Sequence, residues 1–220
     1  MKKPRICASI VNNDYEAIRG VEPLVDLFEV RIDLIGDGWQ QVAKQLKKPW
    51  IACNRSAVEG GSWKGSEDRR VEELLAAVQL GASVIDIELG TENLKETISL
   101  IKKRAQCLVS CHDVEKTPPL ENMRGLVKKQ LAAGADICKV VTTAQKFEDN
   151  LSVLQLITDF PGVSVVSFAM GTPGLASRIL CPLVGGDFSY ASIEAGREAA
   201  PGQITVRDLR KIYGMMENGN

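Results

Sequence analysis

The stretches QLGASVIDI at residues 79–87 and AAGADICKV at residues 132–140 decide how this chain folds. Each reads as the end of a helix, a glycine, an alanine and then an apolar strand. Gly81 and Gly134 suit the left-handed position that ends a helix. They stand 53 residues apart, two strand–helix units of about 27 residues each.

Outward from these two stretches the same alternation continues. Short runs rich in Val, Ile and Cys recur at residues 5–11, 27–33, 50–55, 83–89, 107–113, 136–142 and 163–169. They are nearly continuously apolar, as strands buried on both faces of a parallel sheet must be. Between them lie segments with helical spacing. Residues 67–80 place Val71, Leu74, Leu75 and Val78 on one face, and residues 94–101 run into the cationic turn Lys102, Lys103 and Arg104, which suits a helix C-terminus. Residues 120–133, 147–159 and 206–216 are further helices. A weaker candidate near residues 182–186 makes an eighth strand. Strict alternation predicts a parallel sheet. Eight units in one domain predict a single (β/α)8 TIM barrel over residues 1–220. A doubly wound open sheet is the runner-up, and no G-x-G-x-x-G follows the first strand to support its nucleotide-binding version.

Composition narrows the function. Hydrophobic residues make up 45% of the 220, and 27 basic against 28 acidic residues leave a net charge of −1. That balance argues against a nucleic-acid or anionic-membrane binder, and the apolar content against disorder. No apolar run approaches the roughly 20 residues that span a bilayer. The start, MKKPRICASIV, lacks a long apolar segment and enters a strand directly, so no signal peptide is expected and the cytoplasm is the expected address. The six cysteines include no C-x-x-C pair, and they read as reduced, buried thiols. A metal site on Cys107, Cys111 and His112 fits no standard spacing, and no metal is expected.

Charged residues collect at the C-terminal ends of these strands, where a barrel builds its active site. Glu29, Arg31 and Asp33 share one face of the second strand. Arg55 ends the third and leads to Glu59, Gly60 and Gly61. Asp86 and Glu88 share a face of the fourth, His112 ends the fifth, Lys139 lies in the sixth, and Met170 and Gly171 end the seventh. The strand carboxylates and arginines can form structural ion pairs, and a lone strand-end histidine can be a hydrogen-bonded structural group. Lys139 is harder to explain that way, because a lysine in an apolar strand must reach water, find a carboxylate or lose its proton. A buried lysine is the nucleophile that forms an imine with a ketone or aldehyde. A neighbouring histidine can then move the proton on the adjacent carbon, and arginine forks suit a substrate carboxylate. These residues point to an imine-forming barrel acting on a small acidic carbonyl compound. The segment GGSWKGS at residues 60–66 lacks P-loop spacing and reads as a mobile lid around Trp63.

The motifs Glu29-Val30-Arg31-Ile32-Asp33, Arg55-Ser56-x-x-Glu59-Gly60-Gly61, Asp86-x-Glu88, Ser110-Cys111-His112-Asp113, Lys139-Val140, Met170-Gly171, Ser177-Arg178 and Ala200-Pro201-Gly202-Gln203 occur in this order. Together they resemble the type I 3-dehydroquinate dehydratase family of the shikimate pathway over essentially the whole chain. The resemblance implies that Lys139 forms the Schiff base with 3-dehydroquinate and that His112 removes the C2 proton and later protonates the departing C1 hydroxyl. It implies that Glu59 orients His112, that Arg178 binds the carboxylate, and that Glu29, Arg31, Arg55 and Gln203 hold the substrate hydroxyls and the imine region. Met170 would be an apolar wall. No metal or organic cofactor is implied. Ala199 stands where many members carry a serine, so that hydroxyl contact is not expected. The stretch 199–203 is expected to order on ligand binding. The chain resembles the free-standing prokaryotic form, and a homodimer is the expected assembly. Two other readings stay open: a class I aldolase, for which Gly185 and Gly186 could hold a phosphate, and a non-catalytic barrel that binds a small acid.

Overall fold

In a computed structural model of the chain, residues 3–218 are described. Met1 and Lys2, the basic start of the segment read above for a signal peptide, lie outside them. So do the last two residues of the expected 1–220 domain.

The apolar runs form eight strands: β1 (Ile6–Ile10), β2 (Leu27–Arg31), β3 (Trp50–Cys53), β4 (Val84–Glu88), β5 (Gln106–His112), β6 (Ile137–Thr143), β7 (Val165–Met170) and β8 (Ser189–Ser192). Every ladder is parallel, and the order runs β7-β6-β5-β4-β3-β2-β1-β8. The helices are α1 (Tyr15–Val21), α2 (Ile32–Ile35), α3 (Trp39–Ala43), α4 (Glu67–Gln79), α5 (Leu94–Ile101), α6 (Leu120–Ala133), α7 (Asp149–Thr158), α8 (Leu175–Leu180) and α9 (Val206–Asn218). The short helices α1, α2, α3 and α8 escape a reading by periodicity, because four to seven residues carry too little of a 3.6-residue repeat.

Strand alternation explains why the runs are continuously apolar. One set of side chains, including Ile6, Phe28, Trp50, Ile85 and Val109, packs outward against the helices. The other set, including Cys7, Leu27, Ile51, Val84, Leu108, Ile137 and Val166, fills the barrel. Both sets are buried, each aliphatic side chain contributing on the order of 1.5–3 kcal/mol of transfer free energy. Above this apolar plug the inward positions become Glu29, Asp86, Lys139 and Tyr190, so the polar layer stands on a hydrophobic floor.

The expected eighth strand at residues 182–186 is corrected by the structure. Cys181–Val184 forms a 3-10 turn ending at Gly185, whose φ is 108°; Pro182 has no N–H to give a ladder. The strand is Ser189–Ser192, whose register sets Cys7 beside Tyr190. Its serines hid it from a search for apolar runs. Gly185 and Gly186 therefore lie before β8, at the end of the barrel away from its mouth, and cannot serve as the phosphate site an aldolase reading would give them. Between β7 and β8 there is no ladder. The barrel closes there on a bond from the Asp187 N–H to the Val165 carbonyl (3.0 Å) and an edge contact between the Phe168 and Tyr190 rings (5.9 Å).

The turn between β7 and α8 is packed tightly. A Cβ on Gly174 would lie 2.4 Å from the Ala169 carbonyl oxygen, whereas one on Gly214, inside α9, would meet nothing within 4 Å. Gly174→Ala is expected to lose about 1–3 kcal/mol in urea unfolding, and Gly214→Ala to gain about 0.5–1 kcal/mol.

Candidate active site

The polar layer centres on Asp86. Its side chain has no exposed surface. It accepts hydrogen bonds from Arg55 Nη2 (2.7 Å), Ser110 Oγ (2.6 Å) and Lys139 Nζ (2.8 Å). Burial alone would raise the carboxyl, but Arg55 and Lys139 outweigh it and hold it far below the usual carboxylate range. Lys139 is thus not a bare amine in an apolar strand. Its Nζ lies 3.7 Å from Glu29 Oε1 as well and 4.4 Å from the centre of the Tyr190 ring. Glu29 is fixed in turn by Ser9 Oγ (3.0 Å), which accepts from Gln203 Nε2 (3.2 Å).

His112, on the strand next to Lys139, meets Glu59 twice. The Glu59 Oε2 atom accepts the His112 backbone N–H (3.0 Å) and lies 2.8 Å from Nδ1. Burial pushes the imidazole well below its ordinary value, and Arg55 and Lys139 push it the same way. Burial raises Glu59 to about 7, with Arg55 opposing and Glu88 and Asp86 adding to the rise. With Glu59 ionised, Nδ1 carries the proton and donates it to the carboxylate. That leaves the Nε2 lone pair free.

Arg178 differs from every other buried cation of the mouth. Only 2% exposed, it has no carboxylate partner among the described residues. Nη2 donates to the Pro201 carbonyl (3.1 Å), the guanidinium lies over the Phe168 ring at 4.5 Å, and Nε has no hydrogen-bond partner. Burial lowers it to about 10. A buried guanidinium with unspent donors and no counter-charge is a ready place for an anion. By contrast, Arg31 is held bidentate by Asp33 (2.9 and 2.7 Å) and also reaches the Ala199 carbonyl (3.4 Å).

One cavity of about 300 Å³ joins these groups. Lys139, His112, Glu59, Glu29, Arg31, Arg55, Met170, Arg178 and Gln203 all line it. Sequence reasoning missed Tyr190, Ser9, Cys53 and Phe168, which line it too; strand alternation could have found the last two. Trp63 does not line it. Its N–H bonds back to the Arg55 carbonyl (3.2 Å), Gly60 alone of residues 60–66 lines the cavity, and residues 199–201 lie at the mouth instead. Ala199 joins the network by its backbone, its N–H donating to Gln203 Oε1 (2.8 Å). Asp33 lies just past the end of β2, in α2, rather than in the strand. All six cysteines are unpaired thiols, five of them buried. Cys107 and Cys111 stand on the outward face of β5 and His112 on the inward one, so these three cannot share an ion. Glu29, Cys53 and Asp86 do converge, but the carboxylates are already held by Lys139 and Arg55, and burial keeps the Cys53 thiol protonated.

A parallel eight-stranded barrel with a lysine, a carboxylate-bound histidine and an unpaired arginine at its C-terminal mouth defines an enzyme of the (β/α)8 class. The type I 3-dehydroquinase family model matches residues 6–220, and the chain belongs to that family. The 3-dehydroquinate dehydratase of Dehalococcoides mccartyi is 40% identical over 100% of this chain and 99% of its own length. That of Methanosarcina mazei is 36% identical over 98% and 96%. The crystal structure of the 3-dehydroquinate dehydratase of Geobacillus kaustophilus is 25% identical, covers 99% of this chain and 92% of that one, and gives a TM-score of 0.86.

An arginine buried without a counter-ion costs stability that an apolar residue of similar size would not. Arg178→Met is expected to melt no lower than the wild type while binding any carboxylate ligand far more weakly. A large fall in melting temperature would show that the cation is structural.

Proposed function

We propose that the chain, as one catalytic domain over residues 1–220, dehydrates 3-dehydroquinate to 3-dehydroshikimate through an imine on Lys139. The observation that carries this reading is that one cavity holds a lysine, a histidine whose tautomer a carboxylate fixes, and a buried arginine with no carboxylate partner among the described residues. The Lys139 amine adds to the C3 ketone, and loss of water leaves a protonated imine. The imine acidifies the adjacent C2–H, and Nε2 of His112 takes that proton to give an enamine. The enamine expels the C1 hydroxyl, which His112 protonates as it leaves as water. A second water hydrolyses the conjugated imine, releasing product and the Lys139 amine. Arg178 supplies the charge-assisted hydrogen bonds for the C1 carboxylate. Arg31, Arg55, Glu29 and Gln203 face the ring hydroxyls and the imine, and Met170 closes an apolar side. The site proposed here needs no cofactor.

Family membership favours this reaction over aldol cleavage or simple binding. Six unpaired thiols suit a reducing compartment, and we place the enzyme in the cytoplasm. Among the described residues no helix is long and apolar enough to cross a membrane. A homodimer is proposed with it, since Phe147 and Leu151, each 64% exposed, leave apolar surface uncovered.

Variants test the roles separately. Lys139→Ala is expected to abolish turnover. His112→Ala is expected to lose about 10²–10⁴-fold in kcat while a covalent substrate adduct accumulates, visible in the intact mass. Near-normal turnover in either variant would overturn the assignment of that residue.

The Glu59–His112 pair sets the acid side of the pH profile. Protonated Glu59 donates to Nδ1, which moves the imidazole proton to Nε2 and removes the base. Turnover is therefore expected to fall as the pH drops through about 7, the position to which burial raises Glu59. In Glu59→Gln the amide oxygen still accepts the Nδ1 proton. The fall should then follow His112 alone and move to lower pH. A limb that stays in place would remove Glu59 from the scheme.

A further inference from the structure

Arg70 lies on α4, outside the cavity, and is 1% exposed. A guanidinium has five N–H donors, and each of them has an acceptor here. Nε and Nη2 bind Glu67 (2.8 and 2.6 Å), and Nη2 also donates to Thr91 Oγ1 (2.9 Å). Nη1 donates to the Asn54 carbonyl (3.1 Å) and to Glu88 Oε2. The other Glu88 oxygen accepts the Ser56 N–H (3.0 Å) and forms an ion pair with Arg55 Nη1 (2.9 Å), which itself donates to Ser110 Oγ (2.8 Å). Arg55 then holds Asp86, and Asp86 holds Lys139. Charges of alternating sign thus run without a gap from the helix layer to the lysine that faces the cavity.

We propose that Arg70 is a positioning residue for the reaction: by binding Glu88 it sets Arg55 against Asp86 and so fixes where Lys139 stands. The inference rests on the imine reading above. Buried ion pairs are weak devices for stability, because apolar replacements often do as well. What they specify is geometry, and a guanidinium with five fixed acceptors is a rigid anchor. Arg70 also neutralises Glu88. Without its charge, Glu88 draws the Arg55 guanidinium away from Asp86 and from Ser110 Oγ, its acceptors at 2.7 and 2.8 Å. Glu88 also adds negative potential at Glu59, which is faced by Arg55 from the end of β3, Asp86 and Glu88 from β4, and His112 from β5.

The test compares Arg70→Gln, Arg70→Lys and Arg70→Gln/Glu88→Gln, each checked for folding by circular dichroism. In Arg70→Gln, kcat is expected to fall about 10–100-fold with KM within about threefold, the pattern of a misplaced catalytic group. The acid limb of the profile should move to higher pH. Adding Glu88→Gln removes the unbalanced charge and should return the limb toward its wild-type position. Arg70→Lys keeps the charge but cannot span the five acceptors, so kcat should fall while the limb stays. A folded Arg70→Gln enzyme with wild-type kcat and limb overturns the proposal, as does a loss confined to KM. If Arg70→Gln does not fold, wild-type kcat in Arg70→Lys overturns it equally. Lys139→Ala, assayed alongside, separates the two levels: turnover retained there condemns the imine reading itself, whatever Arg70 does.

Discussion

The Asp86 carboxylate takes hydrogen bonds from Arg55 beyond β3, Ser110 on β5 and Lys139 on β6. A carboxylate buried this deeply is tolerable only because two cations and a hydroxyl surround it. Removing one partner of such a cluster typically costs about 3–5 kcal/mol. The cluster ties the ends of adjacent strands together, and the rest of the mouth is arranged around it. Glu88 stands one inward step higher on β4 and steadies Arg55. Glu29 approaches Lys139 from β2. His112 stands one inward step beyond Ser110 and turns to Glu59.

With those charges matched to one another, Arg178 is left as the odd one out. Its pairing with the Pro201 carbonyl and the face of Phe168 gives it neutral company only. A buried cation with neutral company carries a desolvation cost, which the carboxylate of the proposed substrate would offset. Arg178 and Lys139 line the same cavity, and in the proposed reaction the cation would hold an acidic substrate in place before any covalent step, which is how positioning lowers a barrier.

Much of this was legible in the sequence, and the misses share a cause. The alternation of apolar runs with helical segments revealed the barrel, and charges inside those runs marked the mouth, because neither pattern has a cheap alternative in a buried sheet. The strand Ser189–Ser192 was missed because its four residues, Ser-Tyr-Ala-Ser, do not form an apolar run. Asp86 was visible only as half of an ion pair; that it binds three partners depends on strand register, which residue types do not encode. Arg70 sits in the charged run Glu67–Asp68–Arg69–Arg70 and looks solvated. Its spacing from Leu74, Ala77 and Val78 puts it on the buried stripe of α4, a signal that residue type conceals. The Trp63 segment, read from its polar residues as a lid over the mouth, has only Gly60 on the cavity, and a local backbone bond holds Trp63 to Arg55.

The central claim is that Lys139, held by Asp86, is the group that bonds to substrate. The most direct measurement is to reduce the wild-type enzyme with borohydride in the presence of 3-dehydroquinate and to map the modified peptide by mass spectrometry. A single adduct on Lys139 is the expected result. A label on any other lysine, or none under conditions of full turnover, would contradict it.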